Sequence, residues 1–299
     1  MSASKSHDFR IFDAHVHGYG AAVLGNPMTW GLEHNEAYWA KLHGPSSLQN
    51  WVCVDAMLRE MDAAGVDKVL LQGWYWEQAQ TCVEQNAWYC DWIQSHPDRI
   101  MAFAAFHPAV ADIRGFLSAR QDEGFCGIGE LLPVIQGYSM LTDIRFLETC
   151  EWCQMQRWPM GFHVTEPVGP EYLGRTETPL NDFLKLAQLF PELKMILAHW
   201  GGGLPFFVTR KKVAPLLRNM WFDTAASPLL YEPQIWSQVV QAVGAEKILF
   251  GSDYPLCLYR RTSRIAQMSD LISEALNSSL TMEQLTLIFS HNLASVLPH

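Results

Sequence analysis

The stretch Ile11 to Gly18, IFDAHVHG, ends an apolar run with two histidines one residue apart. On an extended strand side chains alternate, so His15 and His17 face one way together with Asp13, while Phe12, Ala14 and Val16 face the other. Two neutral imidazoles aimed at one point supply half of a zinc-type coordination sphere with little entropy left to lose. The same spacing also fits two histidines on an exposed strand. The decision therefore rests on whether the chain brings matching donors to the same place. Glu130 in GIGELLP, His163 in FHVTE, His199 in LAHWGGGLPF and Asp253 in FGSDYP are the candidates. A divalent ion held by imidazoles and carboxylates lowers the pKa of bound water and polarises a carbonyl oxygen, and a neighbouring histidine or carboxylate can move a proton.

Those residues converge only if the strands carrying them do. Helical periodicity over Val54 to Gly65, Gln78 to Gln94, Asp112 to Glu123, Ile144 to Gln156, Pro179 to Leu189, Leu204 to Arg218 and Pro233 to Val243 alternates with short apolar runs. The runs are Lys68 to Leu71, Ile100 to Phe106, Gly127 to Leu131, Pro159 to Val164, Lys194 to His199, Met220 to Thr224 and Lys247 to Gly251. Continuously apolar strands separated by helices are parallel strands buried on both faces. With Arg10 to His17 there are eight, followed by closing helices over Ser263 to Asn277 and Thr281 to Ser290. This predicts an α/β fold, a (β/α)8 TIM barrel over residues 1–299 as one domain, with a long insertion after strand 1. A doubly wound open sheet is the alternative, but no glycine-rich dinucleotide fingerprint follows the first strand. The insertion, Tyr19 to Gln49, is irregular and aromatic, which predicts a cap over the site with Trp30 or Trp39 first in the pocket wall and Trp51, Trp74 and Trp76 near it.

In a barrel the carboxyl ends of the strands gather at one mouth, and His15, His17, Glu130, His163, His199 and Asp253 all fall there. Singly, Asp253 reads as a helix cap and His199 as a satisfied core histidine. Jointly they make poor core filler, because each buried polar group needs a partner. With FDAHVHG, GIGELLP, FHVTE, LAHWGGGLPF, WFDTAAS and FGSDYP in that order across nearly the whole chain, the sequence resembles the amidohydrolase superfamily. It is closest to the amidohydrolase-related branch that includes aminocarboxymuconate semialdehyde decarboxylase and related hydrolases. The resemblance implies a metal held by His15, His17, His163 and Asp253, with Asp253 also taking the proton of the bound water. It implies His199 beside the metal, acting on substrate or water. In other superfamily members a strand 4 carboxylate is a ligand, sometimes bridging two ions, so Glu130 joins the ligand set. One ion is expected, with room for two. Zinc is expected first and manganese or iron as replacements.

The leading function is then a metal-dependent hydrolase that cleaves an amide, ester or lactone bond of a small carboxylated or aromatic substrate. The alternative is a metal-dependent nonoxidative decarboxylase of a small unsaturated or aromatic acid. Glu130 favours hydrolysis, because an extra carboxylate near the metal would repel a substrate carboxylate. A barrel without catalysis, serving as a binding subunit, predicts degraded ligands, and all are present.

The 299 residues are 49% hydrophobic and 17% charged, enough apolar material for one large core, and the formal net charge is −10. Lys and Arg are scattered apart from Arg210 to Lys212 and Arg260 to Arg261, so no basic patch points to nucleic acid. No apolar run reaches membrane-spanning length, and the polar N-terminus has no signal core. A cytoplasmic protein with a small-molecule substrate is expected, with homo-oligomers left open. The seven cysteines read as reduced, buried thiols, including the Cys150/Cys153 pair inside a helical pattern. His107 and Asp223 divide evenly between roles at the site and loop or capping roles. His34 and His43 read as surface histidines and Arg175 as a solvated loop residue. Gly201 to Gly203 either serve a turn or hold a substrate carboxylate beside a helix start.

Overall fold

The computed structural model describes residues 9–44, 47–259 and 265–298. Eight parallel strands appear where the apolar runs place them: β1 Phe12–Val16, β2 Lys68–Leu71, β3 Ile100–Ala102, β4 Ile128–Leu131, β5 Met160–Phe162, β6 Met195–Leu197, β7 Met220–Asp223 and β8 Ile248–Leu249. They pair in chain order in two arcs, β1-β2-β3 and β4 to β8. The arcs join through single parallel bridges, Ala104 to Ile128 and Val16 to Tyr254. Bonds from Ala14 N to Phe250 O (2.7 Å) and His17 N to Tyr254 O (2.8 Å) complete the second seam. The sheet thus closes into a (β/α)8 barrel.

Strict alternation along β1 does not hold. Pairing with β2 runs Phe12 to Lys68 and Asp13 to Val69, then jumps to Val16 and Leu71. Ala14 packs inside the barrel with Leu70, Phe103, Ile196 and Leu249, whereas Val16 packs outward with Met57 and Met61. The slip separates Asp13 from the two histidines. Its Oδ1 accepts the backbone N–H groups of His15 (3.1 Å) and Ser252 (2.9 Å) instead of joining a donor cluster.

The foot of the barrel is plugged by the chain's end. Thr281 and Gln284 form a reciprocal capping box that starts the helix Met282–Thr286. A π-helical turn, Leu287–His291, leads into the helix Asn292–Val296. The Ile288 carbonyl accepts the N–H of Phe250 at 3.0 Å, and Leu293, Val296 and Leu297 fill the interior. The preceding helix is Met268–Leu276; its expected start, Ser263, lies outside the described residues. Where one helix was expected from Leu204 to Arg218, the chain makes two 3-10 turns, Leu204–Phe207 and Ala214–Leu217. Pro205 and Pro215 have no N–H to give, and each restricts the residue before it, so a continuous ladder cannot form.

The segment after β1 folds into three short helices, Ala21–Leu24, Pro27–Glu33 and Ala37–Leu42. Its aromatics are the cap's own core. Trp39 lies 4.8 Å from Tyr19, 5.0 Å from Trp74 and 4.9 Å from Trp76, ring centre to ring centre. Trp30 joins the same cluster, so neither Trp30 nor Trp39 reaches the pocket wall as expected. Large aromatic area is better spent in burial. His43, expected at the surface, is buried on the face of Trp39 with ring centres 3.7 Å apart. His34 is partly exposed and stacks on Trp30.

A reciprocal clasp ties this cap to the loop after β2. Glu36 accepts the N–H groups of Glu77 (2.7 Å) and Gln78 (3.1 Å), and Glu77 accepts that of Tyr38 (2.7 Å). Burial outweighs those bonds and pushes Glu36 up to about 7. A carboxyl whose folded pKa is raised binds protons more tightly when folded. Stability from this group is therefore full below its ordinary value of 4.5 and falls as pH rises from there to about 7. Denaturant midpoints at pH 5 and pH 8 should show a loss that Glu36→Gln reduces, by at most about 3 kcal/mol. Equal slopes in the two proteins would remove this role. Among the described residues no helix is long and apolar enough to cross a membrane.

Candidate metal centre

The carboxyl ends of β1, β4, β5, β6 and β8 bring together all six sequence-predicted donors. His15 Nε2 and His17 Nε2 are 3.2 Å apart, and Asp253 Oδ1 stands 3.8 Å and 3.6 Å from them. Beside this set, His163 Nδ1 is 2.9 Å from Glu130 Oε1 and 3.2 Å from His199 Nε2. The donors thus fall into two groups, His15, His17 and Asp253, and Glu130, His163 and His199. The single set of four expected at the sequence level is divided. His163 groups with His199, and Glu130 lies between the groups. Glu130 Oε2 is 3.7 Å from His15 Nε2 and 3.8 Å from His17 Nε2, while its Oε1 serves the other pair.

The opposite ring nitrogens are already committed. His15 Nδ1 meets Asp223 Oδ2 at 2.9 Å, His17 Nδ1 meets the Gln72 carbonyl at 3.1 Å, and His199 Nδ1 meets the Ala225 carbonyl at 3.0 Å. Each ring donates outward from Nδ1 and turns Nε2 inward. Converging lone pairs and buried carboxylates repel one another unless a cation lies among them, so the donor set fits a divalent ion.

The carboxylates' demand for positive charge shows on His15, where a proton takes the place that a cation would hold. Burial opposes charge on His15, but the Asp223 and Glu130 carboxylates outweigh it and raise its pKa well above the usual imidazole value. His17 is pushed down to about 3 by burial and by His15. His199 falls to about 4 by burial and His163. Burial would raise Glu130, yet His163 and His15 hold it well below the carboxylate range. Asp253 is different: burial pushes it up to about 7, with His15 opposing. The two carboxylates are thus set apart, Glu130 held as an anion by its imidazole neighbours and Asp253 opposed by burial.

Backbone strain gathers at the same mouth. His199, Trp200, Gly201, Gly202 and Gly203 all have positive φ, a left-handed turn five residues long, and Asp253 has φ 61°. Such a conformation costs a non-glycine residue about 1–2 kcal/mol. Bonds from His199 N to Asp223 Oδ1 (3.0 Å) and Trp200 Nε1 to Ser227 Oγ (2.9 Å) hold it. The glycines serve this turn and close packing. A side chain on Gly202 would meet the Thr165 carbonyl at 2.7 Å, and one on Gly201 the Phe222 ring at 2.6 Å. None of them is among the residues that line the cavity. Asp223 is placed at the site, orienting His15 and His199. His107 bonds the Gln136 carbonyl (2.9 Å) and the N–H of Ala109 (3.1 Å), a loop role. Arg175 ties the Gly169 carbonyl and Glu171. Cys150 and Cys153 are buried thiols that burial pushes up.

A cavity of about 480 Å³ opens on His17, Glu130, His163, His199 and Asp253. Its walls are Trp74, Tyr75, Tyr172 and leucines such as Leu42, Leu173 and Leu229, with Ser47, Leu48 and Gln49 from the cap's return. Tyr75 and Tyr172 were missed in the sequence. Tyr75 sits between two tryptophans that were flagged, on a loop where strand alternation no longer sorts faces. Tyr172 carries no local signal.

The sequence pattern of the amidohydrolase family, a family of metal-dependent enzymes, matches residues 13–298, and the chain belongs to that family. No curated protein matches it in sequence. Among solved structures it is similar to a dihydroxybenzoic acid decarboxylase from Polaromonas with bound manganese and the inhibitor 2-nitroresorcinol. That pair shares 19% identity over 96% of each chain, with a TM-score of 0.70. A 5-carboxyvanillate decarboxylase from Sphingomonas paucimobilis is 15% identical over 96% of this chain and 98% of that one, TM-score 0.73. A probable 2-pyrone-4,6-dicarboxylic acid hydrolase from Acinetobacter baumannii is 13% identical over 96% and 98%, TM-score 0.60.

Proposed function

We propose that the chain is a metal-dependent nonoxidative decarboxylase of a small aromatic carboxylic acid. The observation that carries this reading is the aromatic and leucine-walled cavity opening directly onto the donor set and onto Asp253. Decarboxylases among the similar folds support it. It reverses the order of the two readings drawn from sequence, in which hydrolysis came first. The argument that Glu130 would repel a substrate carboxylate weakens here, because four imidazoles stand within 3.8 Å of its oxygens.

His15, His17 and Asp253 would hold the first ion, with His163, Glu130 and His199 beside it, and zinc is expected ahead of manganese or iron. A bound divalent ion supplies a Lewis acid that fixes and polarises the carboxylated end of the substrate. The apolar walls hold the ring and exclude water. Asp253 would carry the proton that passes to the ring carbon as the carbon–carbon bond breaks and carbon dioxide leaves. The electron pair of that bond becomes the new C–H bond, and Asp253 is reprotonated from solvent. His199, with Nδ1 donating to Ala225, keeps Nε2 turned toward the reacting end.

Glu130 between two donor groups favours the second reading. A bridging carboxylate suits two ions and water activation, hence hydrolysis. Metal-loaded protein incubated with hydroxybenzoates in D2O should release carbon dioxide and leave deuterium at the vacated carbon. Acid formed from aryl esters or lactones, with no carbon dioxide from any of the acids, would restore the hydrolase.

A further inference from the structure

Tyr75 is 4% exposed and lines the cavity beside His163, with its ring centre 5.3 Å from that of the imidazole. Among the described residues its hydroxyl meets no hydrogen-bond partner, whereas Tyr172, the other tyrosine of the wall, spends its own on Glu166 (3.0 Å). The carboxylates that act on the Tyr75 hydroxyl are Glu130 and Asp253, so it lies on the donor side of the wall. The loop that seats it is built together with the centre. The Gln72 carbonyl meets His17 Nδ1 (3.1 Å), the Gly73 carbonyl accepts the N–H of Glu130, and Tyr75 follows close behind. Gln85 Oε1 accepts Trp74 N and Trp76 Nε1, both at 2.7 Å, and so pins the loop on either side of Tyr75. The Trp74 ring stacks on that of Tyr75, centres 4.4 Å and planes 29° apart. A hydroxyl held this firmly over a cavity, with no acceptor of its own, is preorganised for one that a ligand brings. Among the described residues that line the cavity none is lysine or arginine, so no cationic side chain stands ready for an anionic oxygen there. A phenol keeps its proton at neutral pH and can donate it in a hydrogen bond.

We propose that Tyr75 is a substrate-binding residue whose hydroxyl donates to the carboxylate oxygen turned away from the donor set, fixing the plane of the leaving carboxylate. This rests on the aromatic-acid reading of the site. The charge on that oxygen sets the kinetic signature. A carboxylate carries its full charge when it binds and loses it as carbon dioxide leaves, so the bond from Tyr75 is strongest in the bound substrate and weakens toward the transition state. It tightens binding and adds nothing to the rate of the bond-breaking step. In hydrolysis the same donor would face a carbonyl oxygen that gains charge, and the signature would be reversed.

The test is calorimetric titration of zinc-loaded wild type and Tyr75→Phe with benzoate, beside steady-state rates on an acid that the wild type decarboxylates. Phenylalanine keeps the ring against Trp74 and His163 and removes only an oxygen. Benzoate should bind about tenfold more weakly to Tyr75→Phe, the scale of a hydrogen bond to a charged group, with metal content unchanged. KM should rise by a similar factor while kcat stays within about twofold. The proposal falls if benzoate binds both proteins equally, if metal is lost along with affinity, or if kcat falls while KM holds. Carbon dioxide released by a protein whose benzoate affinity ignores the substitution removes this role and leaves decarboxylation standing. Weakened benzoate binding in a protein that decarboxylates no acid keeps Tyr75 in its role and overturns decarboxylation alone.

Discussion

Asp253→Asn should retain its metal and lose turnover by roughly two or more powers of ten, the scale of a missing general acid or base. The substitution is unusually clean at this position. Asp253 has φ 61°, a conformation that asparagine shares with aspartate more readily than other side chains do. Alanine there would add backbone strain to the chemical change. The backbone N–H of Asp253 bonds the His15 carbonyl at 2.9 Å, which keeps the replacement amide facing the same two imidazoles. Asparagine still offers an oxygen where Asp253 Oδ1 stood, but it cannot carry a proton near neutral pH. Steady-state rates beside metal analysis of the same preparation separate the two effects. Near-full turnover would show that another group delivers the proton; loss of metal would show that Asp253 is mainly a ligand.

The barrel was legible because eight buried strands leave eight short apolar runs between amphipathic helices. The site was legible because a barrel gathers strand ends, so polar donors after apolar runs mark one mouth. What escaped was set by local irregularity. The slip in β1 moved Asp13 to the Ser252 backbone, and no alternation rule foresees it. The division of donors into two groups depends on side-chain directions at β4 to β6, which strand position alone does not give. The wall was misassigned for an energetic reason. Trp30 and Trp39 are worth more buried together than lining a wet cavity, and that role passed to Tyr75, Leu48 and Gln49. Asp223, evenly divided in the sequence, is decided by two contacts, His15 Nδ1 at 2.9 Å and His199 N at 3.0 Å.

His17→Ala is expected to lose metal and activity together, the largest change any single substitution should bring here. Its Nε2 is one of two imidazole donors in the β1 group, and with it gone only His15 and Asp253 remain of that set. Asp223→Asn should be milder, because it removes the acceptor behind His15 Nδ1 and leaves the ligand in place; such partners are typically worth about 10–100-fold in metal affinity. His199→Asn then decides how many ions the centre takes. If the β1 group holds a single ion, His199→Asn keeps the full metal content and depresses turnover more than apparent substrate affinity, as expected for an interaction strongest in the transition state. If Glu130, His163 and His199 hold a second ion, metal per chain falls by one equivalent. Glu130→Gln should then do the same, since its carboxylate faces both groups. Metal analysis of the four variants after identical dialysis gives the ranking directly. Retention of metal by His17→Ala at wild-type affinity would place the ion elsewhere and take the mechanism with it.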